Sequence, residues 1–157
     1  METYFLLKLA HVLSATLLFG TGLGTAFFFW MAHRRGDVRA IAVTARHVVL
    51  ADTLFTAPAI IAQPLTGWWL MQRMGMDFDQ SWLQATIVLY LLAGACWMPV
   101  VWIQLKLRDL AEAAVLDGAA LPQSYYRLTR FWFALGWPAF LAVICIFWLM
   151  VRKPVLW

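Results

Sequence analysis

Charged residues are scarce in this sequence, and their scarcity points to its class. They make up 13 % of the 157 residues, whereas hydrophobic residues make up 64 %. Soluble domains are about half apolar and about a quarter charged. A lipid bilayer solvates apolar side chains directly, so the composition argues against a water-soluble fold and for a membrane protein.

Cysteine and the usual catalytic motifs are also nearly absent. The two cysteines, Cys96 and Cys145, lie inside apolar runs without the paired spacing of a metal knuckle or a redox motif. No Ser-His-Asp arrangement, phosphate loop, HExxH motif or catalytic carboxylate pair is present, so a hydrolase or kinase has no support. No basic patch interleaves with aromatics, so a nucleic-acid partner is not indicated.

Long apolar runs are what the sequence has in abundance. Four of them are long enough to cross a bilayer, which takes roughly 20 helical residues: about 4–32, 44–71, 82–105 and 131–151. They predict an all-α, integral membrane four-helix bundle, with one transmembrane domain over residues 1–157 and both termini on the same side. Helical spacing of apolar residues predicts an extension of the third helix over about 104–117, stopping at Gly118 and lying on the cytoplasmic surface or under the bundle.

The basic residues predict the orientation of the bundle. Most of them flank one end of the predicted helices: Arg34, Arg35, Arg39, Arg46, Lys106, Arg108, Arg127 and Arg130. Because the end richer in lysine and arginine stays in the cytoplasm, the N- and C-termini are expected on the outer, periplasmic side.

Polar residues recur at helical spacing on the first two predicted helices. The first stripe comprises His11, Ser14, Leu18, Thr21 and Thr25, and the second comprises Thr44, Val48, Asp52, Thr56, Ala59, Gln63 and Thr66. We expect the stripes to face each other, with adjacent glycines at residues 19–24 allowing a close helix approach. A rise of 1.5 Å per residue places His11 at the depth of Gln63, Thr66 and Tyr90.

Two interpretations of His11 follow from its depth. It is either a structural histidine that bonds Gln63, Thr66 or Tyr90, or a haem ligand, metal ligand or proton-handling group. Asp52 likewise has two interpretations. It forms a structural pair with Arg46, His47 or an arginine from another helix end, or it acts as a proton relay or as a counter-charge to a ligand.

Axial ligation of one haem by His11 and His47 of the same chain is disfavoured, because the two residues lie at opposite depths. The remaining arrangements are His11 with a weak or absent second ligand, a His33/His47 site at the inner surface, or ligands shared between protomers of a homo-oligomer. A separate methionine cluster (Met71, Met74, Met76) suggests copper, since thioethers select Cu(I), or else ordinary apolar residues at the membrane edge.

The stretches at residues 6–28, 44–52, 63–71, 91–104 and 133–140 resemble a bacterial family of predicted integral membrane proteins of unknown function, DUF family 2269. The resemblance implies a multi-pass protein of a Gram-negative inner membrane, without an established activity. The first helix is more distantly similar to haem-associated membrane protoporphyrinogen oxidases and to CopD-type copper-resistance proteins. Only His11 carries over from them. The intramembrane lysine of the oxidases has no counterpart, because Lys106 lies at the inner boundary.

The leading functional hypothesis is a bundle that holds haem b, or a related redox cofactor, near His11. In this hypothesis Gln63, Thr66 and Tyr90 orient the ligand or the haem propionates, and the partner is a membrane redox protein or quinone. One alternative is a non-enzymatic subunit or assembly partner of a membrane complex, which docks through its small-residue faces and residues 104–117. The other is copper handling through His11 and the methionine cluster.

Overall fold

The protein is entirely helical over the residues that the computed structural model describes, 2–157. The helices are α1 (Glu2–Arg35), α2 (Val38–Ala51), α3 (Ala57–Met74), α4 (Ser81–Leu116) and α5 (Gln123–Arg152), and a π-helical turn over Asp52–Thr56 joins α2 to α3. This confirms the all-α prediction.

Four continuous helical rods are long and apolar enough to cross a membrane: α1, the combined α2–α3 rod (Val38–Met74), α4 and α5. Each contains one predicted apolar run. An even number of crossings leaves both termini at one end of the bundle, here called the terminal end; the opposite end, at residues 36–37 and 117–122, is called the basic end. Large apolar side chains such as Leu6, Phe28 and Leu91 are about two-thirds exposed, which suits lipid and would be costly in water.

At the basic end, capping residues mark the start of α2 and the end of α4. Asp37 precedes α2 and accepts hydrogen bonds from the N–H groups of Arg39 (2.9 Å) and Ala40 (3.3 Å), which satisfies donors left free at a helix start. α4 ends at Leu116, and Gly118 adopts a positive φ of 62° that favours glycine. The predicted stop at Gly118 is therefore confirmed.

The main core lies towards the basic end of the bundle. Leu107, Ala111 and Ala114 on α4 are buried together with residues of α2 such as Ile41 and Ala45, and α2 packs against α4. The predicted extension of the third helix thus continues α4 without a break and packs against α2.

The terminal end has a much smaller core. There Trp82, Leu83 and Leu149 are buried, with Met71 and Met76 packed against them. The glycines of the first helix, Gly20, Gly22 and Gly24, are open on their side-chain face: a Cβ built on any of them meets no atom within 4 Å. The expectation that a neighbouring helix approaches closely at these glycines is wrong within the single chain, because no other helix reaches their side-chain positions.

Pro64 creates a hydrogen-bond deficit that another helix repairs. A proline inside a helix has no N–H for the carbonyl four residues earlier, which here belongs to Ile60. The Tyr90 hydroxyl on α4 donates a hydrogen bond to that carbonyl. Since lipid offers no donor, this bond lets the proline remain in a membrane helix.

We expect Tyr90→Phe to lower the free energy of unfolding by about 1 kcal/mol, because it leaves the Ile60 carbonyl without a donor. In a Pro64→Ala background the alanine N–H supplies that donor, so the same substitution should cost clearly less. Unfolding in mixed micelles, measured over the full double-mutant cycle, tests this. Tyr126→Phe, at an exposed tyrosine, is the control. An equal cost of Tyr90→Phe in both backgrounds would contradict this role.

Candidate functional site

The two polar stripes meet around the imidazole of His11. His11 Nδ1 lies 2.8 Å from Thr66 Oγ1 across the α1–α3 interface. The Gln63 amide on α3 donates to the His11 carbonyl at 2.8 Å and to Ser14 Oγ at 2.6 Å. Ser14 is buried, whereas His11, Gln63 and Thr66 are half-buried. The predicted facing of the stripes is thus seen directly at this level.

The hydroxyl of Thr66 determines which nitrogen of His11 carries the proton. Thr66 Oγ1 lies 2.6 Å from the Ala62 carbonyl, which only accepts, so the hydroxyl hydrogen is committed there. The contact with His11 then requires Nδ1 to donate. A neutral imidazole with its proton on Nδ1 has a free lone pair on Nε2, and no protein group within residues 2–157 hydrogen-bonds that atom.

Gln63 fixes the backbone that carries the histidine. Its amide nitrogen uses one hydrogen on the His11 carbonyl and the other on Ser14. The Ser14 hydroxyl in turn donates to the His11 carbonyl at 3.1 Å. This arrangement ties one turn of α1 to α3, so the position of the imidazole is set by both helices.

Gly67 provides room beside the ring. A Cβ built on Gly67 would lie 3.4 Å from His11 Cε1, so a larger side chain would press on the edge between the two ring nitrogens. Sequence reasoning missed this residue. Its only signal was a glycine directly after Thr66, on the helix predicted to face His11.

Tyr90 lies near the predicted depth but has another partner. Its hydroxyl bonds the carbonyl of Ile60, about one turn from Gln63, rather than His11. Tyr90 therefore supports α3 next to the site and does not orient the imidazole by a direct bond.

The other predicted polar residues lie towards the basic end. Arg46 forms its ion pair with Glu112 at 3.0 Å, with an Arg46 side chain that is 70 % exposed. His47 is exposed. Asp52 is buried and accepts a hydrogen bond from Thr56 at 2.7 Å, so its observed partner is a hydroxyl rather than the expected Arg46.

His33 completes the three histidines, and it has a partner on α5. Its Nδ1 lies 3.3 Å from the hydroxyl of Tyr125, which is fully buried. This bond joins α1 to α5 at the basic end. His33 thus meets a tyrosine, while His47 is turned to the surface.

Converging metal ligands are not found in the part of the chain that the structure describes: no three His, Cys, Asp or Glu side chains form a group able to hold a metal ion. Of the predicted copper cluster, Met71 and Met76 pack against Trp82 and its neighbours, whereas Met74 is exposed. His11 is therefore not part of a group of three or more such ligands among residues 2–157.

The model of a family described as predicted integral membrane protein (DUF2269) matches residues 5–154. The chain belongs to this family. The match covers all four membrane helices and the residues around His11. No curated protein and no solved structure matches the chain, so the more distant likeness to haem-associated oxidases and copper-resistance proteins stays a prediction.

We expect Gln63→Leu to lower the free energy of unfolding by about 1–2 kcal/mol, because the His11 carbonyl and Ser14 lose their shared donor between α1 and α3. Gln72→Leu changes an exposed glutamine on the same helix and is the matched control. Unfolding in mixed micelles measures both. If the two variants lose the same stability, the clamp has no special role.

Proposed function

We propose that this protein binds haem b through Nε2 of His11 and transfers electrons within the membrane. The observation that carries the proposal is the hydrogen-bond chain from His11 Nδ1 through Thr66 to the Ala62 carbonyl. It leaves the Nε2 lone pair free and holds the ring in one orientation. Histidines that ligate metals commonly donate their other N–H to a fixed acceptor in this way.

The residues around His11 fit haem b in four respects. One protein histidine is enough to hold haem iron, which agrees with the single imidazole here. Gln63 fixes the backbone of His11, and Gly67 places no side chain against the ring edge. Lys8, one helical turn nearer the terminal end, is an exposed cation that would stand beside propionate groups. When bound, haem supplies one-electron redox chemistry.

Haem suits this donor set better than copper does. Soft-metal sites need several converging sulfur or nitrogen ligands, and Met71 and Met76 are engaged in an apolar cluster. In the proposed arrangement the terminal end faces the periplasm of a bacterial inner membrane, because the opposite end carries most of the lysines and arginines. The electron partner is a membrane redox protein or a quinone.

A second candidate function is that of a non-enzymatic subunit. It is favoured by the open surface of α1 at Gly20 and Gly24, four residues apart on one side of the helix, since small residues let another membrane helix approach closely. A purified complex of constant stoichiometry without bound cofactor would support it over haem binding.

We expect gently purified protein, supplemented with haem during expression, to show a Soret band that His11→Ala abolishes. His47→Ala, which changes an exposed histidine, should leave the band intact. Absorbance spectra of the three proteins at equal concentration make this test. A wild type without the band, or a His11→Ala variant with an unchanged spectrum, would overturn the proposal.

Thr66→Val should weaken haem binding roughly tenfold, because the imidazole loses the acceptor that fixes its tautomer. The remaining haem should have a higher reduction potential, since a less basic imidazole stabilises the ferric state less. Haem titration and a redox titration followed by absorbance measure both effects. Thr53→Val, at an exposed threonine of the adjoining π-helical turn, is the control. Unaltered affinity and potential in Thr66→Val would show that the hydroxyl does not support the ligand.

A further inference from the structure

The buried carboxyl of Asp52 is the strongest unexplained feature outside the His11 site. Asp52 is 7 % exposed and lies in the middle of the α2–α3 rod. Thr56, also buried, donates its hydroxyl to Asp52 Oδ1 at 2.7 Å. The amide of Gln104 on α4, itself 7 % exposed, lies beside the same carboxyl. The carboxyl is thus surrounded by neutral hydrogen-bonding groups.

No cation faces this carboxyl from any helix packed against it, within residues 2–157. The π-helical turn packs against α1, α2 and α3, and its α1 neighbours by register are Thr25 and Phe29, which do not titrate. On α2, Arg46 is paired with Glu112 and His47 is exposed. The group that reaches Asp52 from α4 is the neutral amide of Gln104.

An ionised carboxylate in this position would be costly. Charged side chains at the centre of a bilayer cost several kcal/mol unless they are paired, and such residues mark proton relays and ion pathways. A protonated carboxylic acid avoids that cost and still accepts the hydrogen bond from the Thr56 hydroxyl. Burial without a facing cation therefore favours the neutral acid.

The backbone from Asp52 to Thr56 forms a π-helical turn. In the π-helical turn the N–H of Ala57 bonds the carbonyl of Asp52, five residues back, directly before Pro58. Asp52 and Thr56, four residues apart, both lie on the buried face of this turn. Single π-helical turns inside α-helices are frequent at functional sites.

We infer that Asp52 is a proton-binding site: a buried carboxylic acid that faces no cation, accepts a hydrogen bond from Thr56, is protonated at neutral pH and exchanges its proton with water. In the exchange the carboxyl O–H bond breaks and the proton passes to water, and the reverse step restores the neutral acid. The site is separate from His11 and does not depend on the proposed haem.

Infrared difference spectroscopy of the whole protein in lipid tests the inference. The wild type should show the C=O stretching band of a buried carboxylic acid at neutral pH, with a downshift in D₂O. Asp52→Asn, nearly identical in shape, should lose the band. Thr56→Val should keep it at a shifted frequency, and Glu112→Gln, at an acid towards the basic end, should leave it unchanged.

The unfolding midpoint supplies a second readout. If the folded state holds a proton that the unfolded state releases, stability falls as the pH rises. The wild-type midpoint should therefore fall from the acid range, where the unfolded carboxyl ionises, through neutral pH, more than that of Asp52→Asn. A band that persists in Asp52→Asn, or that never appears in the wild type, overturns the inference. So does a band that sodium ions abolish, which would indicate a cation site, or one that does not respond to D₂O.

Discussion

The hydrocarbon of a bilayer offers no hydrogen bonds, and this constraint explains most of the polar architecture. Each polar group inside the bundle must find a partner on another turn or another helix. Gln63 donates a hydrogen bond to the carbonyl of His11, and Thr66 accepts one from its ring. Tyr90 donates to the Ile60 carbonyl, which Pro64 leaves without its helical partner. These bonds fix how α1, α3 and α4 are rotated against each other.

The two ends of the bundle differ in how tightly they are packed. Towards the basic end, α2 and α4 bury a continuous apolar layer that includes Ile41, Leu107 and Tyr125. Around His11 the helices are joined by a few polar bonds, and small residues such as Gly67 line the contact. The tightly packed half can hold the helices in register, while the half around His11 depends on its polar bonds.

The sequence was informative where one helix or a simple depth argument sufficed. Hydropathy predicted the four crossings, and helical periodicity together with antiparallel depth brought His11 to Gln63 and Thr66. The rotation of α4 could not be read in this way, because its apolar surface runs all around the helix. The bond of Tyr90 to Ile60 and the approach of Gln104 to Asp52 both depend on that rotation. The partner of Arg46 could not be predicted either, because a long side chain near a helix end can reach several groups. In the structure it pairs with Glu112.

Ala59 has a consequence for how the two polar sites relate. It is 3 % exposed and stands between Thr56 and Gln63 on the stripe of α3, where α1 presents Leu18 by register. Gln63 lies seven residues beyond Thr56, which is about 10 Å along the axis. The six residues between them, 57–62, are all apolar. No continuous chain of polar side chains along α3 therefore joins the Asp52 site to the His11 site, and a change at one can leave the hydrogen bonds of the other intact.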